Sequence, residues 1–596
     1  MPEASRSIAA SLGAADADSR RRWLGEDQVF FLLAIILGAG TGLAVVAFRL
    51  AIDHSRVWLL GPGPAPGLPR VVLAPALAGL VVGILAMLVF PRVRGSGVNQ
   101  TKGALYVYDG YIPFRTVIGK FVLSALAIGS GQSLGPEDPS LQIGAGLASL
   151  LGRRLRLSRE KLRLIAPVGA AAGLAAAFNA PITAVLFVIE EVIGRWSAGT
   201  LGAVVLAAVS SVVVERSLLG EAPLFQVPSY AMRRPAELLA YAVLGVAGGI
   251  AGVVFQKLIG FLRPRLKNLP RWTQYLQPAL AGVLIGIIGI RLPQVMGAGY
   301  DSVDLAMRGQ FAWQLLGLLA GMKILSTTLS FSSGTPGGLF APTLFIGAML
   351  GGCVGGVERL LLPHLTAPVG AYALVGIGTL FASFLRAPMT SVFMVLEVSG
   401  DYSIVLPVMV CNTIAYLISR ALQRTPIFDL LSQQDGLHLP SMEEEREMQI
   451  LRVEDAMRPA VEAALDARSR ASEALARAES SSSDYLLVAD DSGHWYGLLK
   501  ESLKVMAVQG KGDITLAESE FLHPLPHVHS DHPLNVVLRR IDDFPILPVV
   551  HRADPQKLVG VIALADIVAA YRQAGAPAAF AERLAQPAGP GDQANT

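Results

Sequence analysis

Gly135-Pro136-Glu137-Asp138-Pro139-Ser140-Leu141-Gln142-Ile143-Gly144-Ala145 comes back, 203 positions later, as Gly338-Leu339-Phe340-Ala341-Pro342-Thr343-Leu344-Phe345-Ile346-Gly347-Ala348. The copies share the Gly, the Pro four residues on, a hydroxyl residue, Leu, Ile, Gly and Ala. A second match follows each copy, at an offset of 207. Ala180-Pro181-Ile182-Thr183 leads to Val185 and Glu190, and Ala387-Pro388-Met389-Thr390 leads to Val392 and Glu397. Two ordered matches at nearly one offset mark a body of two related halves.

The surroundings of these copies are apolar. Of 596 residues, 52% are hydrophobic and 16% charged, with 61 Gly and 37 Pro. About 25% charged is usual for soluble domains. The composition excludes an ordinary soluble enzyme, a collagen-like rod and a disordered chain, and leaves a membrane protein. Apolar stretches such as Val29–Phe48, Val71–Phe90 and Leu164–Ile189 match the ~20 residues a spanning helix needs. Others are short or broken. Ile324–Val357 contains Ser332-Ser333-Gly334-Thr335-Pro336-Gly337-Gly338 and cannot be one straight helix. Irregular backbone at membrane depth is tolerated only inside protein or beside a water-filled cavity, so broken helices in two halves point to a transport site between them.

Charge divides the chain further. The first 434 residues carry a net +13 and the rest a net −10, summing to +3, which gives no case for nucleic-acid binding. Cys353 and Cys411 lie in apolar runs and imply no disulfide framework. Residues 1–27 are polar and end near Arg20-Arg21-Arg22, which places the N-terminus in the cytoplasm by the positive-inside rule. The boundaries read as a polar N-terminus (1–27), a transmembrane body (28–434), a linker (435–451), a soluble region (452–573) and a disordered Ala/Pro/Gly tail (574–596).

Each repeat copy puts a Gly/Pro-rich loop before a helix start. Four unpaired N–H groups and about half a positive charge make such a start an anion site without a cationic side chain. Ser96, in Gly95-Ser96-Gly97, adds a hydroxyl donor in a third loop. The bland alternative is that the glycines only let helices pack closely. Glu137 lies at a helix start in an apolar region, where burying a carboxylate costs about 3 kcal/mol or more, so it is a functional candidate. Ionised, it competes with an anion for the same amides; protonated, it leaves. Glu190 and Glu191 end an apolar helix, as functional groups or as an interfacial pair.

Taken together, these residues resemble the CLC family of chloride channels and proton/chloride exchangers, from about Val29 to Leu431. Gly95-Ser96-Gly97-Val98 is similar to the family loop carrying the central anion ligand, which makes Ser96 and Gly97 anion-binding. Gly135-Pro136-Glu137-Asp138-Pro139 is similar to the loop of the gating glutamate, Glu137. Gly338-Leu339-Phe340-Ala341-Pro342 fits Gly-x-Phe-x-Pro, so the amides of Leu339 and Phe340 should face the anion. Phe178-Asn179-Ala180-Pro181 also fits, and Glu191 falls at the inner proton-transfer glutamate of exchangers. The resemblance implies an all-α polytopic membrane protein with an inverted repeat, about eighteen helices, many tilted or broken. It also implies a homodimer with one pore per subunit.

Four positions depart from the family. Asn99 replaces a Pro, which bears on chloride against nitrate. Pro136 replaces a basic residue, and Asp138 a Gly. Asp138 puts a second charge near the entrance, where it favours protonation of Glu137 or repels anions. Phe428, in Pro426-Ile427-Phe428-Asp429, stands where the family has a pore tyrosine, with one donor fewer.

Past the acidic run Glu443–Glu447, two half-matching units resemble a pair of CBS domains, an α+β module expected in the cytoplasm. Such pairs often bind adenine nucleotides. Asp566 matches the ribose-binding Asp, but Ala563 stands for the usual Thr and Ser502 for the first unit's Asp, so a structural clamp is as good a reading. His523, His527, His529 and His532 sit in a Pro-rich loop without Cys partners, and no metal site is expected. The function expected is exchange of chloride or a similar monovalent anion for protons across the cell membrane, with no required cofactor and no enzymatic activity. A passive channel is the first alternative, a membrane-anchored nucleotide sensor the second. The single Gly-x-Ser-x-Gly match, Gly131-Gln132-Ser133-Leu134-Gly135, lacks the strand–turn–helix setting of a nucleophile elbow.

Overall fold

Gly and Pro punctuate the apolar sequence into helices of very unequal length. The computed structural model describes residues 26–63, 67–194, 198–221, 224–225, 234–364, 366–437, 439–440, 451–459, 464–480, 485–541 and 544–573. Arg20 to Arg22, the acidic run 443–447 and the tail from 574 lie outside these residues. The chain forms two units, Met1–Leu439 and Pro440–Thr596.

The first half of the first unit carries α1 (Glu26–Leu60), α2 (Leu68–Leu88), α3 (Gly97–Tyr106), α4 (Phe114–Gly129), α5 (Glu137–Arg154), α6 (Arg159–Phe178), α7 (Pro181–Phe187) and α8 (Ala198–Leu219). A π-helical turn, Val188–Ile193, continues α7. The second half carries α9 (Glu237–Lys267), α10 (Thr273–Arg291), α11 (Tyr300–Met307), α12 (Trp313–Ser332), α13 (Phe340–Leu361), α14 (Val369–Phe384), α15 (Pro388–Ser399), α16 (Val405–Leu422) and α17 (Ile427–Gln434). The break expected inside Ile324–Val357 falls between Ser332 and Phe340. Among the described residues nine helical spans are long and apolar enough to cross a membrane. Leu32, Ile36 and Leu43 on α1, Leu73 and Leu77 on α2 and Leu280 on α10 are more than half exposed, an apolar surface of the kind that faces lipid.

The two halves interlock through the repeated loops. Gly135 N–H donates to the Gly338 carbonyl at 2.9 Å, and Gly338 N–H donates to the Gly135 carbonyl at 2.8 Å. This antiparallel bridge brings the N-termini of α5 and α13 together. Behind them α5 crosses α6 at Gly144 and Gly169, and α13 crosses α14 at Gly347 and Gly376. A Cβ on Gly144 would strike the Gly169 carbonyl oxygen, and one on Gly347 the Gly376 carbonyl oxygen. Small residues let these helices touch where lipid offers no hydrophobic drive for association. At the end of the unit, Arg263 donates to both Asp435 carboxylate oxygens, at 2.8 and 2.9 Å, and Lys267 donates at 3.1 Å. Asp435, read from sequence as the start of the linker, is thus anchored to α9 within the first unit.

The second unit holds two sheets of one design. Its strands are β1 (Arg458–Pro459), β2 (Leu465–Asp466), β3 (Tyr485–Ala489), β4 (Trp495–Leu499), β5 (His523–Leu525), β6 (Val528–His529), β7 (Leu547–His551) and β8 (Asp554–Ile562). The sheet orders are β2-β3-β4-β5 and β6-β7-β8-β1. In each, a short strand runs parallel to a hairpin whose far side takes an antiparallel edge strand. The helices α18 (Val453–Ala456), α19 (Ala471–Ser480), α20 (Lys500–Val508), α21 (Leu534–Ile541) and α22 (Leu564–Gln573) complete the unit. Val528, Val549, Ile562 and Ile567 centre one core and Leu465, Val488, Leu498 and Leu503 the other.

Candidate functional site

Glu137 is the first residue of α5 and is fully buried. Its carboxylate crosses to the other half of the molecule. The Tyr300 hydroxyl donates to Oε1, and the Ala341 amide donates to Oε2 at 3.3 Å. Tyr300 opens α11 after Gly299, whose φ of 86° is the left-handed turn that a Gly takes without strain. The sequence reading pointed to the amides of Leu339 and Phe340 in this loop. The amide on Glu137 belongs to Ala341, one residue further on, at the first turn of α13.

Ser96 caps α3, accepting from the Val98 amide at 3.1 Å. A second carboxylate meets it there. Asp138 accepts from Ser96 Oγ at 3.0 Å, from Gly97 N–H at 2.8 Å and from Val98 N–H at 3.2 Å. The buried Lys120 ammonium lies 3.6 Å from Asp138 Oδ2. The sequence reading set Asp138 beside Glu137 at the entrance; its carboxylate is turned instead to the Ser96 loop.

Phe340 and Phe428 do come together. Their ring centroids are 6.3 Å apart, and both pack on Phe187, at 5.0 and 6.2 Å. Phe178 and Phe381 also contact Phe340. At this aromatic cluster Phe428 supplies a ring and, through its backbone, an acceptor: Asn99 Nδ2 donates to the Phe428 carbonyl at 2.8 Å. Asn99, in the place of a residue with no N–H to give, ties α3 to α17.

Glu190 and Glu191 sit in the π-helical turn and part ways. Glu190 caps α15, accepting from Thr390 N–H at 3.0 Å and Thr390 Oγ1 at 2.7 Å. Glu191 Oε1 accepts from Lys102 Nζ at 2.6 Å, and the same ammonium lies 3.6 Å from Asp429 Oδ1. Both glutamates are buried within the protein.

In the second unit, Asp566 accepts from Ala563 N–H at 2.9 Å, capping α22, and from Arg458 Nε at 3.0 Å. The rings of His527, His529 and His532 stack edge to face in sequence. Burial pushes the His527 and His532 imidazoles below their ordinary range, which disfavours their charged forms. Among the described residues no group of three or more His, Cys, Asp or Glu is placed to hold a metal ion.

The family model described as "Voltage gated chloride channel" matches residues 78–420. The chain belongs to this family, the CLC proteins. It is 33% identical over 422 residues to a putative ClcB-like chloride channel protein of Ralstonia nicotianae, covering 68% of this chain and 98% of that one. It is 32% identical over 432 residues to an H(+)/Cl(-) exchange transporter, ClcA, of Salmonella newport, covering 70% and 91%. A slow cyanobacterial Cl−/H+ antiporter matches with a TM-score of 0.64 at 26% identity, over 69% of this chain and 98% of that one. A eukaryotic CLC transporter shares the fold, with a TM-score of 0.60 at 21% identity over 90% and 97%.

The CLC fold accounts for the loops, but three lysines of this CLC chain escaped the sequence reading. Lys102, Lys120 and Lys323 are all fully buried. Lys323 Nζ donates to the carbonyls of Val295, at 2.9 Å, and Gly297, at 2.7 Å. Lys120 Nζ donates in the same way to Val93, at 3.4 Å, and Gly95, at 2.9 Å. A signal was present: Lys120 and Lys323 stand at the repeat's own offset of 203.

Proposed function

We propose that this CLC protein exchanges chloride, or a similar monovalent anion, for protons across the membrane. In this reading Glu137 is the gate and Glu191 the inner proton-transfer residue. Ser96, Gly97, Leu339, Phe340 and Phe428 line the anion path. One observation carries it: a fully buried carboxylate, Glu137, is held by the Ala341 amide and the Tyr300 hydroxyl where the two halves meet. These are donors that an anion would use, and burial leaves no water to replace them. An ionised Glu137 therefore excludes an anion from its place, and a protonated one yields it. The relatives named as H(+)/Cl(-) exchangers support the proton partner.

A passive channel is favoured by one feature. The Lys102 ammonium already compensates a buried Glu191, so Glu191 needs no proton to be stable there. Purified protein in liposomes separates the two readings. Exchange drives protons uphill when a chloride or nitrate gradient is imposed; anion flux with no proton movement at any pH leaves a channel.

The chain acts as a homodimer, as the family resemblance implies, with its N-terminus in the cytoplasm on the basis of Arg20 to Arg22 and the second unit on the same side. The second unit is a CBS pair, an assignment supported by its duplicated sheets. An adenine nucleotide would bind near Asp566. Millimolar ATP or AMP should then raise the melting temperature of the full chain by mass action, and no shift leaves a structural clamp.

A further inference from the structure

We propose that Asp138 is a tethered anion that fills the Ser96 cradle, and that a mobile anion enters this cradle only by displacing it. This rests on the reading of the protein as an anion transporter and adds a specificity residue to it.

The donor set carries the argument. Ser96 Oγ and the amides of Gly97 and Val98 converge on one carboxylate within 3.2 Å. A helix N-terminus with a hydroxyl beside it is the donor set a halide or nitrate would need. Here it is already occupied. Asp138 is 3% exposed, so its carboxylate is an integral part of the cradle and no water competes for its donors.

Charge balance points the same way. Lys120 gives two hydrogen bonds to loop carbonyls, at 2.9 and 3.4 Å, and lies 3.6 Å from Asp138. An ammonium buried without an anion is strongly unfavourable. While no anion is bound, Asp138 supplies that charge. When an anion arrives, it takes the cradle's donors and the place beside Lys120, and the displaced Asp138 carboxylate must turn out of the cradle or take up a proton.

The repeat supplies an independent comparison. Lys323, the equivalent of Lys120, hangs from the carbonyls of Val295 and Gly297 in the second half. The residue equivalent to Asp138 is Ala341, which carries no charge. The carboxylate that reaches the second half's loop is Glu137, through the Ala341 amide at 3.3 Å. The two repeat-related lysines, Lys120 and Lys323, thus sit beside loops that each engage one of two consecutive carboxylates. Glu137 serves the second half's loop and Asp138 the first.

Chloride titration of the purified full-length protein, followed by calorimetry, tests this. Asp138→Gly vacates the cradle and should bind chloride at least tenfold more tightly than the unmodified protein. Asp138→Asn keeps the shape and removes the charge, so it should gain about threefold and decides the matter if the glycine variant does not fold. The gain should vanish in Asp138→Gly/Ser96→Ala. A merely structural cap predicts lower thermal stability with chloride affinity unchanged, and affinities within twofold in both single variants would overturn the proposal. Absence of chloride binding in every version, including Glu137→Gln, would instead defeat the anion-site reading itself and this proposal with it.

Discussion

Lys102 and Glu191 face each other inside the membrane unit, the ammonium 2.6 Å from the carboxylate, with side chains 1% and 7% exposed. Asp429 flanks the same ammonium at 3.6 Å. Removing one partner of a buried pair strands the other charge, at a cost of about 3 to 5 kcal/mol. Lys102→Met should therefore lower the protein's thermal stability sharply, and Lys102→Met/Glu191→Gln should restore part of the loss. Thermal unfolding in detergent, arranged as a double-mutant cycle, reads this directly. Losses that simply add would mean that the two groups do not depend on each other.

The repeat also predicts paired structural roles. Glu190 accepts from the Thr390 amide and hydroxyl, and Glu397 accepts from the Thr183 amide at 2.7 Å and the Thr183 hydroxyl. Each carboxylate caps a helix in the opposite half. Glu190→Ala and Glu397→Ala should each cost about 1 to 3 kcal/mol, because amides and a hydroxyl lose their acceptor. Comparable drops in melting temperature are expected; a neutral result for either would break the equivalence.

The loops of this fold were legible because Gly and Pro cannot continue a helix, and their recurrence at one offset exposed the two halves. Asp138 was legible as a charge but not in its direction. Consecutive residues on a helix point about 100° apart, so Glu137 reaches α11 and α13 while Asp138 reaches α3. Lys102 was missed for a different reason. A single lysine in an apolar stretch reads as a helix end near water, and its partners Glu191 and Asp429 lie 89 and 327 residues away in sequence. Only the packing of α3 against the π-helical turn and against α17 brings them together.

In the second unit, Asp566 holds both its own helix start and Arg458 on β1. The Arg458 side chain is 59% exposed, so the ion pair adds little and the cap dominates. Asp566→Ala should cost about 1 kcal/mol, while Arg458→Ala should stay within about 0.5 kcal/mol of the unmodified protein. If Asp566 also contacts a nucleotide, the alanine variant should lose any melting shift that ATP produces. Limited proteolysis of the second unit, with and without ATP, measures both effects.

The gate makes the sharpest prediction. Glu137 is faced by the Tyr300 hydroxyl and the Ala341 amide, with Lys323 and the neighbouring Asp138 as the charges in reach. An ionised carboxylate occupies these donors, and protonation releases them. Lowering external pH should therefore speed anion efflux from liposomes until Glu137 is mostly neutral. Glu137→Gln fixes the neutral shape, so its efflux should be independent of pH and free of proton coupling. Glu191→Gln leaves the gate intact: its pH dependence should survive while proton movement falls. Asp138 engages a different loop, so Asp138→Asn should change anion affinity and keep the sign of the pH response. Simultaneous recording of chloride and pH distinguishes all three variants. Wild-type pH dependence and coupling in Glu137→Gln would remove Glu137 as the gate, and the two-glutamate mechanism with it.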